Sequence, residues 1–211
     1  AGKLGIGFTD TNVKVGSTAL DSLTSGTNNT AVGTNALTAN TSASNSTAIG
    51  YDALKVNTTG QQNTAVGAYA LDANTTGDSN TAFGAEALTA NTTGTVNVAV
   101  GKDSMQANTT GDNNTAIGKD SLQYNTTADD NTACGYQALK VNTTGARCTA
   151  VGTRALDANT TAVNNTAIGC DAMTNCTTGV DNTAVGREAL QYVTTGSVSY
   201  THLTLPTNRE V

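Results

Sequence analysis

Gly16, Gly33, Gly50, Gly67, Gly84, Gly101, Gly118, Gly135, Gly152, Gly169 and Gly186 stand seventeen residues apart, with no insertion or loss across eleven copies. A fixed period of this length is the mark of a repeat architecture, in which each unit stacks on the one before it. Composition alone, rich in Asn, Thr, Ala and Gly and only 12% charged, would also suit a disordered chain. Disorder places no demand on spacing, so the period decides for a stacked fold.

With Asn63 as position 1, the copies read N-T-A-V-G-x-x-A-L-x-x-N-T-T-G-x-x. Position 4 is apolar in every copy, as at Val66 and Val100, and position 9 is Leu or Met, as at Leu71 and Leu88. Both columns are expected to face inward. Positions 1 (Asn63, Asn80) and 12 (Asn74, Asn91) are mostly Asn, and both are expected to form side-chain ladders up the stack. Gly67, Gly84 and Gly101 at position 5 suit a corner that needs positive φ or a close backbone approach. Position 15 marks a second, less demanding corner, because Ala43, Ala128 and Ala162 replace Gly there. Charge collects at positions 6, 7, 10, 16 and 17, which are expected to meet solvent.

The fold class that follows is all-β: a parallel β-solenoid of eleven 17-residue coils over residues 12–197. A competing signal exists. Positions 5, 8, 9 and 12 follow helical spacing, and segments such as AEALTA are good helix formers. The alternative is a solenoid with a strand and a short helix in each coil. It is disfavoured because β rungs stack at about 4.8 Å whereas helices need about 8–10 Å between axes. Position 3 is Ala in every copy but the first, which has Lys14. Lying opposite position 4 on a strand, it is expected to form an outward column of small residues against which sister chains pack.

The repeats SNSTAIGYDAL (44–54) and QNTAVGAYAL (62–71) resemble the head repeats of trimeric autotransporter adhesins, and more so the NTAVG-type arrays of phage tail fibres and bacterial surface proteins. KLGIG at 3–7 is similar to the segment that introduces such arrays. The resemblance covers 12–197, and implies a left-handed parallel β-roll packed as a homotrimer, within an extracellular, cell-surface or virion fibre that binds a host glycan or protein receptor. The seventeen-residue period is longer than the adhesin head's usual fourteen or so. Residues 1–11 then form the lead-in of a truncated chain. Residues 198–211, VSYTHLTLPTNREV, have no counterpart in the repeats and resemble the translation of a transposase-type sequencing adapter. They are expected neither to stack as a twelfth coil nor to cap the eleventh, with Leu203, Leu205 and Val211 largely exposed or lying loosely on the last rung.

Chemistry is sparse. His202 is the only histidine, and it lies in that tail. No Ser, Thr or Asp stands in a singular constellation, so neither a general base nor a triad emerges, and no enzyme or cofactor is expected. The net charge of −6 argues against nucleic acid, which needs a Lys/Arg footprint. No apolar run reaches the roughly 20 residues of a membrane span. Cys134, Cys148, Cys170 and Cys176 occupy positions 4, 1, 6 and 12, so no two can form a rung-to-rung bridge, and their spacing does not suit zinc. Cys134 is read as a core substitution for Val. Acidic turns at 112–114 and 129–131 could hold Ca²⁺, but most copies lack them. The N-T-T triplets match a glycosylation pattern that follows automatically from the ladder.

Two functional classes remain. One is a structural and adhesive fibre segment, with Tyr51, Tyr69, Tyr136, Tyr124 and Tyr192 as candidate sugar-stacking groups. The other is an ice-binding solenoid, in which the position-13 column of Thr75, Thr92 and Thr109 orders water.

Overall fold

The computed structural model describes residues 6–9, 11–197 and 200–202. Strand β1 (Ile6–Thr9) pairs antiparallel with β2 (Asn12–Val15), and from β2 onward all pairing is parallel. The repeat strands that follow are three residues each: β3 (Thr30–Val32), β4 (Thr47–Ile49), β5 (Thr64–Val66), β6 (Thr81–Phe83), β7 (Val98–Val100), β8 (Thr115–Ile117), β9 (Thr132–Cys134), β10 (Thr149–Val151), β11 (Thr166–Ile168) and β12 (Thr183–Val185). Every residue pairs with its equivalent seventeen positions on, as Thr64, Ala65 and Val66 do with Thr81, Ala82 and Phe83. The described residues contain no helix. The all-β solenoid therefore holds, and the helical alternative falls.

Each strand spans only positions 2–4 because the chain turns sharply on both sides. At position 5 the glycines take φ between 124° and 149°, a region closed to most L residues. A Cβ on Gly67 would also fall onto the carbonyl group of Gly84 in the next coil. Positions 6–11 then form continuous turn, as over Ala68–Ala73. Within it the backbone enters the left-handed region twice, at Tyr69 (φ 59°) and Leu71 (φ 51°), and a third time at Ser79 (φ 59°) in position 17. These conformations persist because hydrogen bonds to neighbouring coils fix them. Tyr69 N–H donates to Tyr51 O (2.9 Å), Leu71 N–H to Ala87 O (3.0 Å) and Ser79 N–H to Gln61 O (2.9 Å).

The interior is narrow, and it reverses the expected orientation of the strand. Ala31, Ala48, Ala65, Ala82, Ala99 and Ala116 at position 3 are all fully buried, in one cluster with the position-8 alanines and the position-9 leucines. Position 4 points outward: Ile49 is 39% exposed, Ile117 42% and Phe83 56%, while Val66 and Val100 are half-buried. The expectations that Val66 and Val100 face the core and that the Ala column forms an outer packing surface are both overturned, as is the reading of Cys134 as a core residue, since it too lies in the outward column. The physical reason is room. Leu71, Leu88 and their equivalents fill the thin interior from the turn side, leaving space for only a methyl group on the strand side. β-branched residues at position 4 reflect strand preference, not burial.

At the N-terminal end, β1 covers the edge of β2, and Lys14 at position 3 pairs with Asp21 (3.5 Å) where later coils have buried Ala. At the other end β13 (Tyr200–His202) pairs in parallel with β12, Thr183 opposite Tyr200 and Val185 opposite His202. For these three residues that corrects the expectation that the tail does not stack. An open strand edge offers unpaired N–H and C=O groups that any extended segment can satisfy, whatever its side chains. Leu203, Leu205 and Val211 lie outside the described residues.

Candidate functional site

Two Asn columns run inside the stack. At position 12, Asn74 Nδ2 donates to Asn57 Oδ1, Asn91 to Asn74, Asn108 to Asn91, and so on to Asn159 on Asn142, all at 2.8–2.9 Å. Each also closes its own corner, as when Asn74 Nδ2 reaches Gly77 O (3.0 Å). At position 1, Asn63 donates to Gly77 O (2.8 Å) while its Oδ1 accepts the backbone N–H of Asn80 (2.9 Å). Both expected ladders are present, side chain to side chain at Asn74 and Asn91, and at position 1 mainly from amide oxygen to the backbone N–H of the next coil. Because these asparagines are fully buried, the N-T-T triplets present no acceptor nitrogen to a modifying enzyme.

The position-12 ladder runs from Asn57, since Asn40 Oδ1 accepts the backbone N–H of Ala43 instead, and it stops at Asn159. Cys176 stands where the next Asn would donate, and Asn159 Oδ1 is left buried without a partner. Cys148 replaces Asn at position 1 one coil earlier, and its thiol reaches Ala162 O (3.4 Å) in place of an amide. Burial pushes the Cys148 thiol up to about 11 and raises Cys176 as well. Both are thiols, not thiolates, at neutral pH and are poor nucleophiles.

The position-13 threonines face the coil boundary. Thr75 Oγ1 donates to Thr92 O (3.1 Å), Thr92 to Thr109 O (3.0 Å) and Thr109 to Thr126 O (3.0 Å). From Thr24 to Thr177 the hydroxyl protons are engaged up the stack and are not free to order water. Position 14 carries the exposed hydroxyls instead, as at Thr76 and Thr93.

Outside, the strands present two columns, position 2 and position 4. Of these 22 residues, 20 are Thr, Val or Ile, the exceptions being Phe83 and Cys134, and none is charged. Within the chain no described hydrogen bond engages the hydroxyl groups of Thr64, Thr81 or Thr115. The result is an unbroken, rigid, uncharged face along the whole stack. Sequence reasoning missed it by turning the strand over. The available signal was the near-exclusive use of β-branched residues at positions 2 and 4, with none at position 3.

Charge lies on the turn face. Asp171 is clamped by Arg154 (2.7 and 2.9 Å), which holds its carboxyl below the usual carboxylate range. Asp52 opposes burial with bonds from Lys55 (2.9 Å) and Asn35 (2.8 Å) and is also lowered. Burial raises Asp72 and Asp157, which lack such a donor. On this face Tyr51 and Tyr69 meet edge to face, centroids 5.3 Å apart, and Lys119 sits 5.6 Å over the Tyr136 ring. The structure brings Tyr51 and Tyr69 together and leaves Tyr136 five coils away from Tyr51.

In the acidic turns, Asp112 Oδ1 accepts Thr95 N–H (2.6 Å) and Asp129 Oδ1 accepts Asp112 N–H (2.8 Å), so these carboxylates bind backbone. Among the described residues no three His, Cys, Asp or Glu side chains are grouped to hold a metal ion, and no helix is long and apolar enough to cross a membrane. No protein-family model, curated protein or solved structure matches the chain.

Proposed function

We propose that the chain is a structural and adhesive fibre segment, a stiff spacer that also presents a binding surface, assembled as a homo-oligomer at a cell or virion surface. The observation that carries the reading is the uniform stack. Eleven coils share the same strand register and the same outer face, and most of them carry both interior Asn columns. Nothing in them singles out one coil for chemistry. A solenoid of this kind resists bending because each coil is bound to the next by main-chain bonds on all sides and by side-chain ladders within.

The trimer implied by the resemblance loses its Ala column as an interface and retains the outer Thr/Val face as the surface on which neighbours can lie. Tyr51 and Tyr69, paired and exposed on adjacent coils, are the best-supported contact for a host glycan. Electron microscopy and glycan-array binding of the intact chain test the reading. Straight rods in which the repeat array spans about 48 Å, with retention on a surface glycan that Tyr51→Ala abolishes, are the expected result. Flexible or collapsed particles would refute the spacer function, and array binding indifferent to Tyr51 and Tyr69 would refute the contact.

The ice-binding alternative moves to a different column. Position 13 is engaged internally, whereas the position-2 hydroxyls on the flat strand face are turned outward. A measurement of thermal hysteresis separates this reading from the fibre.

A further inference from the structure

We infer that the outer strand face takes a second copy of this chain, aligned parallel and coil to matching coil. The inference rests on the fibre reading for the presence of sister chains, and the structure adds where they meet and which way they run.

The first argument is area. Ten intervals of β spacing and a strand face about 10 Å across give a footprint of about 500 Å² on each chain. Facing copies would cover about 1,000 Å² in all, the size at which specific interfaces begin. A patch of this size is that of the largest on a soluble monomer, which is often a functional surface. Phe83, 56% exposed, and Ile49, Ile117 and Ile168, each close to 40% exposed, are its most prominent groups. The threonines of position 2 bring hydroxyl groups that can pair across the contact.

The second argument is charge, and it sets direction. The face has two rims in the chain: position 6, just after the strand, and positions 16 and 17, just before it. Position 6 holds Lys102, Lys119 and Arg187 and no carboxylate in any copy. Positions 16 and 17 hold Asp78, Asp112, Asp129, Asp130 and Asp181, with Arg147 the one cation. Two chains related by rotation about an axis along the stack set the cationic rim of one against the anionic rim of the other, at equal height. Lys119 and Asp112 both flank β8, and Arg187 and Asp181 both flank β12, so opposite charges meet within the same coil. An antiparallel face-to-face pair would set anionic rim on anionic rim. Lys119 is bonded to Asp120 (2.7 Å) and Arg187 to Glu188 (2.8 Å) within the chain. The Arg187 pair is exposed and weak. Asp120 is buried, but the Lys119 side chain keeps 53% of its surface exposed and can face a neighbour while still holding that carboxylate.

Sedimentation equilibrium on the full chain tests this, with circular dichroism to verify the fold of each variant. The parent should associate. Val100→Asp with Ile117→Asp should give a monomer with an unchanged β spectrum, since both side chains point out of the coil. Lys119→Glu should weaken association, and adding Asp112→Lys should restore it, because the reversed charges meet again only in the parallel alignment. A parent that is monomeric at every concentration overturns the inference while leaving the rod measured by microscopy intact. A monomeric parent that shapes growing ice crystals would assign the face to ordered water instead. Association that survives the double Asp variant places the interface elsewhere. Should that variant misfold, the charge-reversal pair decides: failure of Asp112→Lys to restore the Lys119→Glu chain overturns the parallel alignment.

Discussion

The break at Cys176 offers a direct measure of what one ladder bond contributes. Six consecutive bonds join Asn57 to Asn159, and the seventh is missing because a thiol stands in place of an amide. A buried acceptor left unsatisfied costs about 1–3 kcal/mol. Cys176→Asn should supply the missing donor, with Nδ2 reaching both Asn159 Oδ1 and Gly179 O in the geometry that Asn74 adopts with Asn57 and Gly77. Part of the gain is offset. The new Asn has Val193 above it, so its own Oδ1 becomes the ladder's last acceptor. That acceptor lies next to a coil whose Val193 is only half-buried and whose Thr194 is exposed, where water can reach. The net stabilisation should therefore fall near the lower end of the range, about 1 kcal/mol. For a chain of this size it raises the melting midpoint by about 2–4 °C. Hydrogen exchange should localise the effect, with slower exchange at the amides of coils 9 and 10 and little change in coils 2–6. Cys176→Ser is the control, being polar but too short to bridge to Asn159. If Asn and Ser at 176 melt alike, the ladder contributes nothing measurable and the buried Oδ1 is not the liability described.

Other substitutions probe the corners, the core and the charged face. Gly101→Ala should destabilise by at least about 2 kcal/mol, because its φ of 131° is hostile to a side chain and a Cβ would strike the carbonyl group of Gly118. Gly111→Ala at the other corner should be milder. A Cβ there would also press on Ala128 O, but the backbone is not in the positive-φ region and Ala43, Ala128 and Ala162 already occupy equivalent sites; equal melting losses would undo the distinction. Ala99→Arg should disrupt the coil itself, seen as lost β signal, and a well-folded variant altered only in association would restore the outward reading of position 3. Asp171, lowered by Arg154, contributes stability present above the ordinary carboxylate pKa of about 4 and lost as pH falls through its depressed value. Asp157, raised by burial, acts in the opposite sense and costs stability once ionised. Asp157→Asn should therefore raise the midpoint at pH 7 with no gain near pH 3, and a gain independent of pH would remove ionisation as the cause.

The period, the parallel register and the glycine corner were legible because each is imposed by backbone geometry, which repeats with the sequence. The inward Leu71 and Leu88 and the Asn74–Asn91 bond were legible for the same reason. The sense of the strand was not. Alternation shows that positions 3 and 4 face opposite ways, and only the width of the interior decides which is inside. That width is set by Leu71 crossing from the turn, a contact between elements that no local pattern contains. Positions 7 and 17 looked free, yet they hold left-handed backbone. Asn28, Asn45, Asp52, Asp103, Asn113 and Asp171 there were a readable sign, as Asn and Asp tolerate that region best. Leu71 and Leu88 in the same region were not readable, since burial overrides preference at position 9.

Interchangeable coils leave the molecule with few markers of phase. A segment shifted by one whole repeat would find the same Ala, Leu and Asn environments, so the shifted state competes closely with the native one. One coil could even be looped out, its seventeen residues closing over a resealed stack for a modest entropic penalty. The residues that record phase are the irregular ones: Leu23 and Val193, which bracket the position-12 column, Cys176 near its end, and Lys14 beneath β1. Replacing these four, together with Ser46 and Cys148 in the position-1 column, by the consensus would blur the origin from which coils are counted. The chain would then fold into frames offset by seventeen residues, and length itself would become a distribution.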